Sequence, residues 1–237
     1  MTGIKILKKM RGNPQVVGTV HSPGALLCAL KVGPGEADFL EIRVDNFATN
    51  PDALLSALPK LRVPLIVTVR HPAEGGLNQL SFARRRELYA RFMPHAALID
   101  VELRSFEKLA ETLAVARRAG VKIIASAHHF RSTPSAASLQ RSVNHAKKAG
   151  ADLCKLAARA DTLTALGRLL VPLARAQPLP LSVMGMGRFG KISRLLFAQA
   201  GSVLNYGYLD RPNASGQWEA HLLKSRLAEL AADSEAL

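Results

Sequence analysis

Residues 122–156 read KIIASAHHFRSTPSAASLQRSVNHAKKAGADLCKL, and this stretch decides the fold. It opens on a short run, Lys122 to Ser126, that is brief for a helix and rich in Ile, a residue that fits a pleated strand. From Ala136 to Ala149 the apolar residues instead recur at helical spacing. Gly150 then follows Ala149, as expected of a glycine just past a helix end. A second short apolar run, Leu153 to Leu156, comes next. Strand, helix and strand at this spacing form the unit that joins parallel neighbours in one sheet.

The same rhythm extends in both directions. Further strands are expected at Val16 to Val20, Phe39 to Val44, Pro64 to Val69, Ala97 to Leu103, Leu179 to Met184 and Val203 to Tyr206, giving eight in all. Helices are expected at Asp52 to Lys60, Ser81 to Phe92, Ser105 to Ala119, Thr162 to Ala176, Ile192 to Ala200 and Gln217 to Leu230. Eight strands alternating with helices, with no linker-like break, predict an α/β fold: a single closed (β/α)8 barrel over residues 1–237. Residues 1–13 fall outside the alternation and are expected to extend across the bottom of the barrel. Residues 210–217, with their Gly, Ser, Asn and Pro, read as a loop able to cover its mouth.

Bulk properties bound the function. Hydrophobic residues make up 48% and charged residues 21% of the 237, an ordinary globular composition. No apolar run approaches the roughly 18 to 20 residues needed to span a bilayer, and the basic N-terminus lacks a signal core, so a cytoplasmic protein is expected. Two cysteines, Cys28 and Cys154, neither build a disulfide framework nor have metal-ligand spacing. The formal charge of +14 raises the local concentration of anions. Its basic residues are dispersed, Arg84 to Arg86 among them, mostly in stretches reading as exposed helix faces. With three Tyr and one Trp to stack bases, a small anionic substrate is favoured over nucleic acid.

In a parallel barrel the reacting groups sit at the C-terminal ends of the strands. There the sequence places Glu41, Arg43 and Asp45, then Thr68 and Arg70 followed by Glu74, then Asp100 and Glu102. Ser126, His128, His129, Lys155, Met184 and Met186 follow on later strands. Taken singly, each has a plain structural reading as an exposed or hydrogen-bonded strand residue; their convergence is what points to a site. Alternation along a strand puts Glu41, Arg43 and Asp45 on one face, where buried charges must be paired. Lysine, histidine and glutamate together suit imine catalysis. A lysine amine attacks a ketone, the iminium acidifies the adjacent C–H, and a histidine oriented by a carboxylate moves the proton. Arginines hold an anionic substrate by bidentate contacts.

The motifs and their order resemble type I 3-dehydroquinate dehydratases along nearly the whole chain. Glu41-Ile-Arg43-Val-Asp45, Thr68-Val-Arg70 with Glu74-Gly75-Gly76, and Ile99-Asp-Val-Glu102-Leu resemble the second to fourth strands of that family. Ser126-Ala-His128-His129-Phe130, Gly150-Ala-Asp-Leu-Cys-Lys155-Leu-Ala, and Met184-Gly-Met186 with Ile192-Ser-Arg194-Leu resemble its later segments. The resemblance implies dehydration of 3-dehydroquinate to 3-dehydroshikimate in the shikimate pathway, with no cofactor or metal and a homodimeric assembly. It implies that Lys155 forms a Schiff base, His128 is the general acid and base, and Glu74 orients His128. Glu41, Arg43 and Arg70 would contact substrate hydroxyls, Met184 and Met186 would pack on the ring, and Arg194 and Gln217 would bind the carboxylate. Tyr206 and Asn213 fall where the family commonly has Phe and Ser. His129, the run Ala157-Ala-Arg159-Ala160 and the lid Asn213-Ala-Ser-Gly-Gln217 depart from the family pattern.

Other readings compete. Gly185-Met-Gly187-Arg-Phe-Gly190 with Asp210 twenty residues on is a formal dinucleotide fingerprint. Only 27 residues follow Asp210, too few for the rest of a dinucleotide-binding sheet. A barrel acting on another anionic small substrate, and a basic, inactive binding protein, are the remaining alternatives. His128, His129 and His145 have no recognised metal-ligand spacing.

Overall fold

The structure, a computed structural model, describes residues 13–235. The expected N-terminal cover, residues 1–13, lies outside the described residues except for Asn13. In chain order the elements are β1 (Gln15–Val20), α1 (Pro23–Ala29), β2 (Phe39–Arg43), α2 (Pro51–Ala57), β3 (Leu65–Thr68) and α3 (Phe82–Phe92). They continue with β4 (Leu98–Glu102), α4 (Ala110–Arg118), β5 (Lys122–His129), α5 (Ala136–Lys148), β6 (Leu153–Arg159) and α6 (Leu163–Leu170). The last are β7 (Leu181–Met186), α7 (Gly190–Gln199), β8 (Leu204–Tyr208) and α8 (Ala220–Glu235).

The eight strands form one parallel sheet in the order β7-β6-β5-β4-β3-β2-β1-β8, which curls into a nearly closed barrel with the helices outside. The strands are buried on both faces, which is why they read as apolar runs. Inside, Val17, Phe39, Ile66, Leu98, Ile124, Leu153 and Leu204 form an apolar plug. Two residues further along the same strands come Thr19, Glu41, Thr68, Asp100, Ser126, Lys155 and Tyr206, all buried. Alternation makes these the next inward-facing positions, so the strand period turns an apolar floor into a polar layer.

The join between β7 and β8 departs from the closed barrel expected. No strand ladder links them; one backbone bond, Val203 N to Leu181 O at 2.8 Å, joins the segments. Side chains bridge the rest: Ser202 Oγ accepts from Val183 N at 2.9 Å, and Ser182 Oγ donates to Leu204 O.

Helix starts follow local chemistry. Ser22, Ser81, Ser135 and Thr162 each accept a hydrogen bond from the backbone three residues on, contributing about 1 kcal/mol apiece. Gly120 and Gly150 end α4 and α5 with φ of 73° and 74°, as expected from the sequence. Other boundaries differ. β5 and β6 run three residues past their expected ends, to His129 and Arg159: His128 and His129 pair with Ala157 and Ala158, and Ala157 to Arg159 pair with Met184 to Met186 of β7. α6 stops at Leu170, before Pro172, rather than at Ala176, and α4 begins at Ala110 rather than Ser105. Among the described residues no helix is long and apolar enough to cross a membrane.

Candidate active site

Lys155 projects from β6 into the polar layer, 4% exposed. Its Nζ donates to Asp100 Oδ2 at 2.9 Å and to Glu41 Oε1 at 3.4 Å, and stands 3.9 Å from the centroid of the Tyr206 ring. Asp100 also accepts from Arg70 Nη1 at 2.8 Å and Ser126 Oγ at 2.6 Å, so both of its oxygens are satisfied. These cations outweigh burial and hold the Asp100 carboxyl far below the usual carboxylate range. Arg70 is pinned from several sides: Nη1 meets Glu102 Oε1 at 3.1 Å, and Nη2 lies 3.7 Å from Glu41.

His128 sits on β5 one inward position beyond Ser126, which pairs with Lys155 across the sheet. Glu74, at the end of a one-turn helix after β3, reaches it: Oε2 accepts from the His128 backbone amide at 3.0 Å and lies 2.9 Å from Nδ1. Burial, then the Arg70 and Lys155 charges, keeps His128 well below the usual histidine value. Burial, then the Glu102 carboxylate, raises Glu74 to about 7. When Glu74 is ionised, Nδ1 carries the proton toward it and Nε2 keeps its lone pair, the form a general base needs. His129, next along, is half-buried and does not line the cavity.

Arg43 closes another side. Its fork binds Asp45 through Nε at 3.0 Å and Nη2 at 2.8 Å, while Nη2 also reaches Gly75 O at 3.0 Å. Glu41, Arg43 and Asp45 are therefore paired as their burial requires.

On the opposite wall Arg194, 1% exposed, projects from α7. Nε donates to Tyr206 O at 2.9 Å, and Nη1 to the carbonyls of Gly185, Gly190 and Gly216 at 3.0, 2.8 and 2.8 Å. It thus grips β7, β8 and the 210–217 loop at once, with Nη2 outside these bonds. Burial lowers the guanidinium to about 10, still cationic at neutral pH. Gln217 spends Oε1 on the amides of Asn213 and Ala214, at 2.9 and 3.2 Å, which folds the loop over the mouth.

Every residue to which the family resemblance gives a role lines one cavity of about 130 Å³, including Met184, Met186, Tyr206, Asn213 and Gln217. Thr19, Gly75, Phe130, Ala157 and Ala214 join them and carried no signal of charge in the sequence. The Thr19 and Tyr206 hydroxyls are buried without a hydrogen bond to any described residue. Among the described residues no cluster of side chains fits a metal ion.

One sequence reading changes, and the dinucleotide-like segment, already set aside, has another use. Its Gly190 seats the loop: a Cβ there would lie 2.7 Å from Gly216 Cα. Asp210 is occupied with Ser22 Oγ and with its neighbour Arg211 N, which argues against a ribose-binding role. Arg85, read from sequence as part of an exposed basic face, is fully buried.

A family model described as type I 3-dehydroquinase matches residues 21–234. Among curated relatives, a 3-dehydroquinate dehydratase of Methanocella arvoryzae is 34% identical over 205 residues, covering 86% of this chain and 91% of its own. One from Enterococcus faecalis is 30% identical over 242 residues, covering 94% and 96%. Among solved structures, a type I 3-dehydroquinate dehydratase from Clostridium difficile, determined with covalently modified comenic acid, superposes with a TM-score of 0.85. It shares 27% identity over 94% of each chain. The match spans β2 to β8 and every residue of the site just described except Thr19, and the chain belongs to the type I 3-dehydroquinase family.

Proposed function

We propose that this chain dehydrates 3-dehydroquinate to 3-dehydroshikimate through an imine on Lys155. Its family and relatives supply the reaction, a dehydration belonging to the shikimate pathway. One observation supports the route: Lys155 and the Glu74–His128 pair lie on neighbouring strand ends in the same cavity.

In this reading the Lys155 ammonium gives up a proton, its free amine adds to the substrate ketone, and a proton returned to the carbinolamine hydroxyl lets it leave as water, giving an iminium. The iminium draws electrons from the adjacent C–H, and His128 removes that proton. The electron pair left behind expels the hydroxyl on the next carbon, which departs as water with the proton that His128 returns. Water then hydrolyses the iminium and restores the lysine. Arg194 Nη2 and the Gln217 amide hold the substrate carboxylate, Glu41, Arg43, Arg70 and Asn213 meet its hydroxyls, and Met184, Met186 and Tyr206 pack on the ring. The +14 charge favours arrival of such an anion. The family resemblance extends the reading to a cytoplasmic homodimer, with residues 1–237 as one barrel domain.

Borohydride reduction in the presence of 3-dehydroquinate, followed by peptide mass spectrometry, tests the proposal. The expected result is a single adduct on Lys155. An adduct elsewhere, or none despite measurable turnover, would overturn the imine route.

A further inference from the structure

Arg85 comes from outside the barrel. It lies on α3, among residues whose neighbours Arg84 and Arg86 face solvent, yet its side chain is 0% exposed. Nε donates to Val69 O at 2.9 Å, Nη1 to Ser105 Oγ at 3.0 Å and Nη2 to Glu102 Oε2 at 2.6 Å. One turn along α3, the buried Tyr89 hydroxyl donates to Asp100 O at 2.6 Å and accepts from Val69 N at 3.2 Å. The two side chains wedge between the ends of β3 and β4.

Glu102 carries the contact inward. Its other oxygen, Oε1, accepts from Arg70 Nη1 at 3.1 Å and from the His71 amide at 2.9 Å. Arg70 continues to Asp100, and Asp100 to Lys155. The result is an unbroken file of alternating charges, Arg85, Glu102, Arg70, Asp100 and Lys155, running from a surface helix to the amine of the site. With Glu41 beside Lys155 and Arg70, the file has three cations and three anions.

We infer that Arg85 is a positioning residue for the dehydration: by neutralising Glu102 it leaves Arg70 free to hold Asp100 and sets the charge felt by the Glu74–His128 pair. This rests on the roles given above to Lys155, His128 and Glu74. Without Arg85, Glu102 would lose one of its two guanidinium partners and compete with Asp100 for the other, Arg70. Low dielectric makes such an imbalance reach further than it would in water. The groups facing Glu74 are His128, Glu102, Arg70 and, 4.0 Å away, Arg104; Glu102 is the one that opposes its ionisation. Uncovering Glu102 therefore favours the protonated form of Glu74, and removing the Glu102 charge favours the ionised one.

The test is the pH profile of kcat/KM for 3-dehydroquinate in Arg85→Met, Glu102→Gln and the double variant. The acid limb is expected to move up by about 1 pH unit in Arg85→Met and down in Glu102→Gln, and to return near its original position in the double variant. kcat of Arg85→Met should fall by roughly tenfold with KM less affected, since Arg85 does not touch the cavity. Should Arg85→Met fail to fold, the downward shift in Glu102→Gln and its reversal in the double variant carry the same information. Limbs that coincide in wild type, Glu102→Gln and the double variant would overturn the inference and make Arg85 a packing residue only. Failure of the imine reading would show separately, as absence of a borohydride adduct on Lys155 in the unaltered protein.

Discussion

Glu74 Oε2 takes the His128 backbone amide at 3.0 Å and faces the same residue's Nδ1 at 2.9 Å, so one carboxylate oxygen fixes both the position and the proton of that imidazole. The carboxyl is raised to about 7, whereas His128 is pushed below its ordinary range, so Glu74 titrates first as pH falls through neutrality. Protonated, it no longer favours the Nδ1–H tautomer. The kcat/KM profile should therefore lose activity below about pH 7, and Glu74→Gln should flatten that limb while lowering the plateau at least roughly tenfold. The stability effect has the opposite sense. A carboxyl whose folded pKa is raised costs stability as pH rises from its unfolded value toward 7, so Glu74→Gln should gain thermal stability at pH 8 relative to its effect at pH 4.

The neighbouring histidines should separate in kinetics. His128 is in the cavity beside Glu74, while His129 belongs to the opposite face of β5. His128→Ala should lower kcat by about 10²-fold or more, and His129→Ala much less. Steady-state assays that rank them the other way would move the base to His129.

Asp100 holds two cations and should tolerate no neutral replacement. Asp100→Asn keeps the shape but leaves Arg70 and Lys155 short of a carboxylate, and breaking buried pairs of this kind costs about 3 to 5 kcal/mol. Urea unfolding measures that loss. Borohydride labelling of the folded fraction should fall with it if Asp100 aims the lysine.

Carboxylate binding should depend on Arg194 more than on Gln217. Arg194 offers a charged donor, worth about 1.5 to 3 kcal/mol, against about 1 for the neutral amide. Dissociation constants for the product measured on Arg194→Ala and Gln217→Ala decide the order. Arg194→Ala should also lower the melting temperature, because four carbonyls each lose a hydrogen bond from the guanidinium. Unchanged affinity in both variants would place the carboxylate elsewhere.

Tyr206 gives a test of opposite sign. Its hydroxyl is buried with no hydrogen bond to a described residue, so Tyr206→Phe should stabilise the free protein by roughly 1 kcal/mol. A substrate hydroxyl that uses this group would be bound more weakly by the same variant, giving a more stable protein with a higher product Kd.

Much of this molecule is legible because the strand period is strict. Glu41, Asp100 and Lys155 each stand two residues beyond an apolar residue of the barrel floor, and alternation alone sends both inward. Strand length was less legible: Ala127 to His129 and Ala157 to Arg159 have little β propensity and are strand because of what they pair with, Ala127 to His129 with Leu156 to Ala158 and Ala157 to Arg159 with β7. The short α1 carried its own marks, Ser22 as cap and Pro23 at the first turn, but seven residues are too few for a period to show. Arg85 was hidden for a different reason. Nothing local distinguishes it from Arg84 and Arg86; its burial is dictated by Glu102, on a strand beyond the next loop.

The gap in the ladder between β7 and β8 gives the barrel a grain. A tube whose staves are nailed along seven joins and laced along the eighth loosens at the lacing, and here the lace includes Arg194, tied to Gly185 on one side and Tyr206 on the other. A carboxylate that grips Arg194 tightens the lace, so breathing of the wall and occupancy of the site become one motion. Amide hydrogen exchange should begin along β7 and β8 and slow there when product is bound, while the β4–β5–β6 wall, with its long ladders, stays indifferent.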